Sequence, residues 1–295
     1  EPGSTFKIVV VGAGLDQKML TLNDTFFCEN GKFLYAGYYL HDHKPFGMQT
    51  VRQIIVHSVN IGAAKIALKL GEETFYKYIC RFGFGEPTSI QLPGEMRGLV
   101  RAPKSYSKIS QTRIAMGHEI TATPLQTILA MSAVANGGNL MKPVIIKRIL
   151  GEDGGTIQEF GPAVRRRVLS KPAASRLTEA LVGVVSSDGT APQAALPGWT
   201  VAGKTGTAQK NEDGRYLDDK YYSSFIGFFP AQKPQLCILI GLNDIDDYGG
   251  KTAAPVFQRI AARSAAYLDL QAPHRKDGPF AVAGTDERPA RRPKL

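Results

Sequence analysis

Three strand-like runs follow one another late in this 295-residue chain, and they limit its possible folds more than any other feature. Trp199 to Gln209, Tyr222 to Pro230 and Leu236 to Asn243 are rich in β-branched and aromatic residues. A polar loop, Asn211–Lys220, links the first two, and a Lys233-Pro234 turn links the second and third. Strands joined this closely pair as an antiparallel meander, because parallel neighbours need a much longer crossover. A helical run from Thr252 to Leu270 follows, with Val256, Ile260, Ala261, Tyr267 and Leu268 at apolar positions, and is placed to cover the sheet.

The first two-thirds of the chain read differently. Ser4 to Val11 is apolar nearly all round, the pattern of a buried helix, with Gly12 and Gly14 loosening its end. Met48 to Ser58, Asn60 to Leu70 and Glu72 to Phe82 have helical spacing, the last two closed by Gly71 and Gly83. Pro124 to Ala135 has proline early and Asn136-Gly137-Gly138 just past its end, and Pro172 to Ser186 is a further helix. Residues 21–47 read as irregular or short-stranded, residues 83–113 as loop, and Val144 to Ile149 as a short strand. The fold class is therefore α+β, an antiparallel sheet flanked by helices with a helical subdomain. Residues 1–270 form the globular part, and residues 271–295 read as a disordered basic tail.

Composition removes several function classes. The net charge of +10 suggests an anionic partner, but Arg165-Arg166-Arg167 and the tail cations lack aromatic interleaving and read as solvated surface, not a nucleic-acid site. Cys28, Cys80 and Cys237 are few, odd in number and widely spaced, so they imply neither a disulfide framework nor a metal site. His41-Asp42-His43 lacks a third ligand at sensible spacing and reads as a polar loop. No cofactor is called for. No apolar run is long enough to cross a membrane, and no signal peptide is visible.

The chemistry-bearing residues fall in three places. In Glu1-Pro2-Gly3-Ser4-Thr5-Phe6-Lys7, proline and glycine favour a helix start at Ser4 or Thr5, which sets Lys7 on the same face as the Ser4 hydroxyl. In a dry site at a helix N-terminus the lysine pKa falls, and a neutral amine beside a hydroxyl is a nucleophile with its own base. Alone this means little: Ser-x-x-Lys arises by chance about once in a chain of this size. A second copy, Ser105-Tyr106-Ser107-Lys108, reads as solvated loop. The second place is Ser58-Val59-Asn60, which by itself reads as an ordinary helix cap between two helical runs. The third is Gly203-Lys204-Thr205-Gly206-Thr207 inside the first strand. Glycine is costly there unless another backbone or a ligand comes close, and a lysine with two threonine hydroxyls suits a carboxylate.

Taken in order, these three elements resemble the motif set of penicillin-binding proteins and serine β-lactamases. The chain resembles the transpeptidase domain of a class B penicillin-binding protein over most of residues 1–270. Phe82-Gly83-Phe84-Gly85, Leu92-Pro93-Gly94-Glu95, Thr123-Pro124-Leu125-Gln126 and Ala135-Asn136-Gly137-Gly138 add to the likeness. The resemblance implies that Ser4 attacks a stem peptide ending in D-Ala-D-Ala and that Lys7 takes its proton. It implies that Ser58, assisted by Lys204, passes a proton to the leaving D-Ala. Asn60 would hold the donor peptide and Lys7, and Thr205, Gly206 and Thr207 would bind substrate. The N–H groups of Ser4 and Thr207 would form the oxyanion hole. The implied partners are peptidoglycan stem peptides on glycan strands, β-lactams as covalent inhibitors, and a membrane glycosyltransferase of division or elongation. The implied place is the outer face of the bacterial cytoplasmic membrane.

In that family a five-stranded sheet is completed by strands that precede the nucleophile, so three visible strands suggest an N-terminal truncation that removes those strands, a pedestal and an anchor. A class D-like β-lactamase or penicillin sensor is an alternative, although an apolar residue usually stands there where this chain has Asn60. A silent scaffold of the same fold is another, although it has no need of all five of Ser4, Lys7, Ser58, Asn60 and Lys204. If truncated, the isolated chain leaves a sheet edge unpaired and is expected to be poorly stable. A cooperative melt of ordinary stability counts against truncation.

Overall fold

A computed structural model describes residues 1–212 and 215–272, so most of the tail expected at 271–295 lies outside the described residues. The late strands form one antiparallel sheet. They are β9 (Ala202–Glu212), β10 (Arg215–Phe229) and β11 (Leu236–Ile245), in the order β11-β10-β9. Lys204 pairs with Ile226, Thr207 with Ser223, and Cys237 with Phe228. The first two strands run through most of the stretch expected as a polar loop. Tyr216 pairs with Asn211, because ladder bonds are made by the backbone and need no apolar pattern.

Helix α8 (Gly249–Tyr267) covers the sheet and begins three residues before its apolar periodicity. Its first residue has to be glycine: a Cβ on Gly249 would lie 2.2 Å from the Ser224 carbonyl oxygen. Phe257 of α8 sits edge-on against Phe225, centroids 4.8 Å apart, and against Phe229. Helix α6 (Pro124–Ala135) also packs on β10 and β11. It starts in a capping box, Thr123 with Gln126, and proline at its first position.

The helical subdomain is built around α1 (Lys7–Asp16), in which every residue from Lys7 to Leu15 is buried. Gly12 and Gly14 do not loosen its end, as the sequence reading expected, but lie inside it. A Cβ on Gly14 would meet Leu20 Cδ1 at 2.3 Å, and one on Gly12 would meet Leu169 Cδ1 at 3.3 Å. Glycine here permits close packing, and its weak helix propensity is outweighed by the burial of Val9, Val10 and Val11, worth about 1.5–3 kcal/mol each. Around α1 stand α2 (Val51–Val56), α3 (Asn60–Leu70), α4 (Glu72–Arg81) and α7 (Lys171–Gly183).

Short two-stranded ribbons decorate this block. β1 (Thr25–Phe27) pairs with β4 (Met48–Thr50), and β2 (Lys32–Tyr35) with β3 (Tyr38–His41). β5 (Asn139–Met141) pairs with β8 (Val164–Arg167), and β6 (Arg148–Leu150) with β7 (Thr156–Glu159). The strand expected at Val144–Ile149 is thus displaced toward the turn that closes its ribbon. Residues 83–113 are mostly irregular, broken by a 3-10 turn at Pro103–Ser105 and ending in α5 (Ser110–Ile114), a short helix whose pattern is too brief to read. The arginine run is not simple solvated surface. Arg165 and Arg166 are half-buried in β8, paired with Glu86 and donating to the carbonyls of Pro87 and Arg81.

A backbone contact helps lock the N-terminal turn to the rest. The Gly3 N–H donates to the Gly117 carbonyl at 3.2 Å. Gly117 has φ +84°, and a Cβ there would fall 2.1 Å from the Gly3 oxygen. Gly117→Ala is therefore expected to lose about 2–4 kcal/mol, through left-handed strain and overpacking together. An unchanged urea midpoint would show that this contact does not hold the turn.

Candidate active site

The residues singled out in the sequence lie on three elements that meet at one point. A 3-10 turn, Gly3–Phe6, precedes α1, and Gly3 takes φ +57° within it. The regular helix thus begins at Lys7, later than expected, yet the spacing still works: the Lys7 Nζ lies 2.8 Å from Ser4 Oγ. Thr5 Oγ1 donates to the Pro2 carbonyl at 2.8 Å, and Phe6 packs edge-on against Phe84 and Phe75. The Glu1 carboxylate accepts from the Glu119 N–H at 2.9 Å, pairs with His118 Nδ1 at 2.9 Å, and accepts from Tyr216. Burial alone would raise this carboxyl, but the His118 hydrogen bond and charge bring it below its usual value.

Ser58 lies between α2 and α3. The Val59 N–H donates to Ile54 and the Ser58 N–H to Ile55, the pair of bonds that ends a helix on a left-handed residue. That residue is usually glycine, but here it is Ser58 at φ +59°. The strained backbone turns both the carbonyl and the hydroxyl of Ser58 toward Lys7, at 2.6 and 3.2 Å. Asn60 opens α3 and presents Oδ1 to the same amine at 2.7 Å, while its Nδ2 donates to the His41 carbonyl at 3.0 Å.

Strand β9 supplies the remainder. Lys204 Nζ donates to Ser58 Oγ at 2.8 Å and to the Thr205 carbonyl at 3.1 Å. The Thr205 hydroxyl bonds with that of Thr190 at 2.9 Å, and Thr207 Oγ1 accepts from the Gly249 N–H at 3.3 Å. Gly206 stands where the nucleophile turn presses on the strand. A Cβ there would meet Ser224 Oγ at 2.4 Å, Thr5 Cγ2 at 3.0 Å and the Pro2 oxygen at 3.2 Å. All eight residues expected at the site are therefore brought together. Asp42, Thr190, Glu1 and His118 are additions that no motif spacing announces.

Electrostatics follow from dryness. Lys7 and Lys204 are both fully buried. Burial brings the Lys7 amine down to about 7, opposed by the Asp42 carboxylate. Burial, and then the charge of Lys7, hold Lys204 well below its ordinary value. Two ammonium groups sharing the Ser58 hydroxyl would repel in a medium that screens poorly. A neutral Lys7 has two N–H bonds and one lone pair. The Ser58 carbonyl and Asn60 Oδ1 can only accept, so they take the two N–H bonds, and the lone pair is left for the Ser4 hydroxyl. Such an arrangement can activate the Ser4 hydroxyl as a nucleophile, beside a second hydroxyl, Ser58, placed to pass a proton between two amines.

The family profile described as penicillin binding protein transpeptidase domain matches residues 1–262. Stage V sporulation protein D of Bacillus subtilis is 35% identical over 277 residues, which is 92% of this chain and 43% of that protein. The chain thus spans less than half of that relative's length. A probable peptidoglycan D,D-transpeptidase, PenA of Neisseria flavescens, is 29% identical over 90% of this chain and 64% of its own. Penicillin-binding protein 3 of Mycobacterium tuberculosis, solved in complex with aztreonam, superposes with a TM-score of 0.87 at 30% identity, covering 97% of this chain and 65% of that one.

The left-handed serine yields a test. Ser58→Ala and Ser58→Gly both remove the hydroxyl, but only glycine relieves the backbone. The glycine variant is expected to be more stable than the alanine variant by about 1 kcal/mol. Equal denaturation midpoints would mean that position 58 stores no strain.

Proposed function

The chain belongs to the transpeptidase domains of class B penicillin-binding proteins, and from that premise we propose that it is a peptidoglycan D,D-transpeptidase working through a Ser4 acyl-enzyme. The observation that carries this reading is the Lys7 amine, 2.8 Å from Ser4 Oγ, with two acceptors, the Ser58 carbonyl at 2.6 Å and Asn60 Oδ1 at 2.7 Å, placed to take its N–H bonds.

Ser4 Oγ attacks the carbonyl of the penultimate D-Ala of a donor stem peptide as Lys7 takes the hydroxyl proton. The oxyanion rests on the N–H groups of Ser4 and Thr207, at about 3 kcal/mol per donor. Packing of the Gly3 backbone on Thr207 supports this placement, since a Cβ on Gly3 would meet the Thr207 oxygen at 3.3 Å. As the intermediate collapses, the C–N bond breaks and the terminal D-Ala nitrogen receives a proton from Ser58. Lys7, 3.2 Å from that hydroxyl and carrying the proton taken from Ser4, restores it, and Lys204, 2.8 Å from it, assists by hydrogen bonding. The amine of a second stem peptide then attacks the ester, forms the cross-linking amide and returns the proton to Ser4. One peptide bond is broken and one is made, with no cofactor in the sequence of steps.

Thr205 and Thr207 hold the terminal carboxylate of the donor, with Gly206 permitting close approach, and the Asn60 amide orients the donor backbone. β-Lactams acylate the same serine. A membrane glycosyltransferase of division or elongation delivers the glycan strands, and the site of action is the outer face of the cytoplasmic membrane, with the chain held there by an anchor N-terminal to the residues described. The names of the relatives, and the aztreonam complex of the similar structure, support the substrate class and the inhibitor class.

A fluorescent penicillin tests the reading. A long-lived adduct on Ser4, abolished by Ser4→Ala, is expected. Rapid turnover of the drug would point to a β-lactamase instead, and absence of labelling to a silent scaffold.

A further inference from the structure

Helix α3 begins without a cap of its own. Its N-cap residue, Val59, has no side-chain acceptor to offer the first N–H groups of the helix. The acceptor comes from another element. The Asp42 carboxylate, in the loop just after β3, accepts from the Asn60 N–H and from the Ile61 N–H, the latter at 3.4 Å to each of its oxygens. The preceding residue, His41, accepts from the Asn60 side-chain Nδ2 at 3.0 Å. Both nitrogens of Asn60 are thus held by two consecutive residues. The loop is itself anchored by the Asp42 N–H, which donates to the Gly31 carbonyl at 3.1 Å.

Fixing both nitrogens leaves Asn60 Oδ1 one direction, toward the Lys7 amine at 2.7 Å. Asp42 also places a negative charge at the dry end of the site. The charged and titratable groups around Lys7 are Asp42 and His43 from this loop and Lys204 from β9. Asp42 is the acidic one. Its carboxylate holds Lys7 up against burial, and burial in turn raises Asp42 against the N–H groups and the amine that favour its charge.

We infer that Asp42 is a positioning residue for acylation: through Asn60 it aims the Lys7 base, and through its charge it sets the pH range in which that base works. This deepens the transpeptidase reading and rests on it. Asp42→Asn keeps an acceptor oxygen for the α3 N–H groups but removes the charge. Asp42→Ala removes both.

The sign follows from the carboxylate's direction on Lys7. Without the charge, Lys7 loses its proton more readily, so the acid limb of acylation moves to lower pH. The measurement is the second-order rate of Ser4 labelling by fluorescent penicillin across pH 5 to 9, with a melt of each variant as a check on folding. The expected result is an acid limb displaced downward by about one pH unit in Asp42→Asn. Asp42→Ala is expected to show the same displacement and, on the plateau above the limb, a loss of about tenfold or more, because Asn60 is no longer aimed. An Asp42→Asn profile that superposes on the unsubstituted one, or a uniform loss in both variants without displacement, overturns the inference. Should Asp42→Asn fail to fold, a carbon-13 titration of the unsubstituted chain decides. The Asp42 carboxyl shift must follow the ionisation of Lys7, and a flat response overturns the proposal. An unsubstituted chain that takes no label overturns the transpeptidase reading first, which keeps the two failures distinct.

Discussion

The site depends on one buried amine. Lys7 is enclosed on the first turn of a helix whose every neighbouring residue is inside the protein, and removal from water brings it near neutrality. Two obligate acceptors, from the α2–α3 joint and from the start of α3, then decide which way its lone pair points. Burial alone would give a weakly basic amine of no fixed orientation. Hydrogen bonding alone would give an ordinary ammonium. The chemistry needs both, and the fold supplies both by packing three remote segments around α1.

Close backbone approach is the means by which those segments meet. Gly3 lies against Gly117 and Thr207, and Gly206 lies against Pro2 and Thr5. Gly249 lies against the Ser224 and Gly206 carbonyls. At each of these places a methyl group would push the serine-bearing turn, the strand and the covering helix apart. Ser58 shows the opposite choice: a position whose geometry favours glycine carries a side chain, because that side chain touches both lysines. Local strain of about 1–3 kcal/mol at such a residue is tolerable when the surrounding core over-determines it.

Much of this was legible in the residues. The meander of β9 to β11 and its covering helix follow from pattern and short links, and Ser4, Lys7, Ser58, Asn60, Lys204, Thr205, Gly206 and Thr207 meet as their motifs require. What could not be read has a common cause, which is that tertiary contact overrode local signal. Gly12 and Gly14 look like a helix end until the leucines they accommodate are known. The polar residues after Gln209 look like a loop until the ladder runs through them. Asp42 looks like one polar residue in a polar loop, because nothing in sequence ties it to Asn60, whose backbone it holds. Arg165 and Arg166 look like surface until Glu86 is beside them.

The scattering of the site along the chain has a consequence for how the protein is made. The Ser4 turn and the helix that starts at Lys7 are close in sequence and need only local contacts to come together. Until the α2–α3 joint and β9 dock on it, its amine is hydrated and keeps its proton at neutral pH. On the proposed reading a half-assembled chain is thus chemically mute: reactivity arrives with the last long-range contact, and a nascent or misassembled copy presents no live nucleophile to its surroundings.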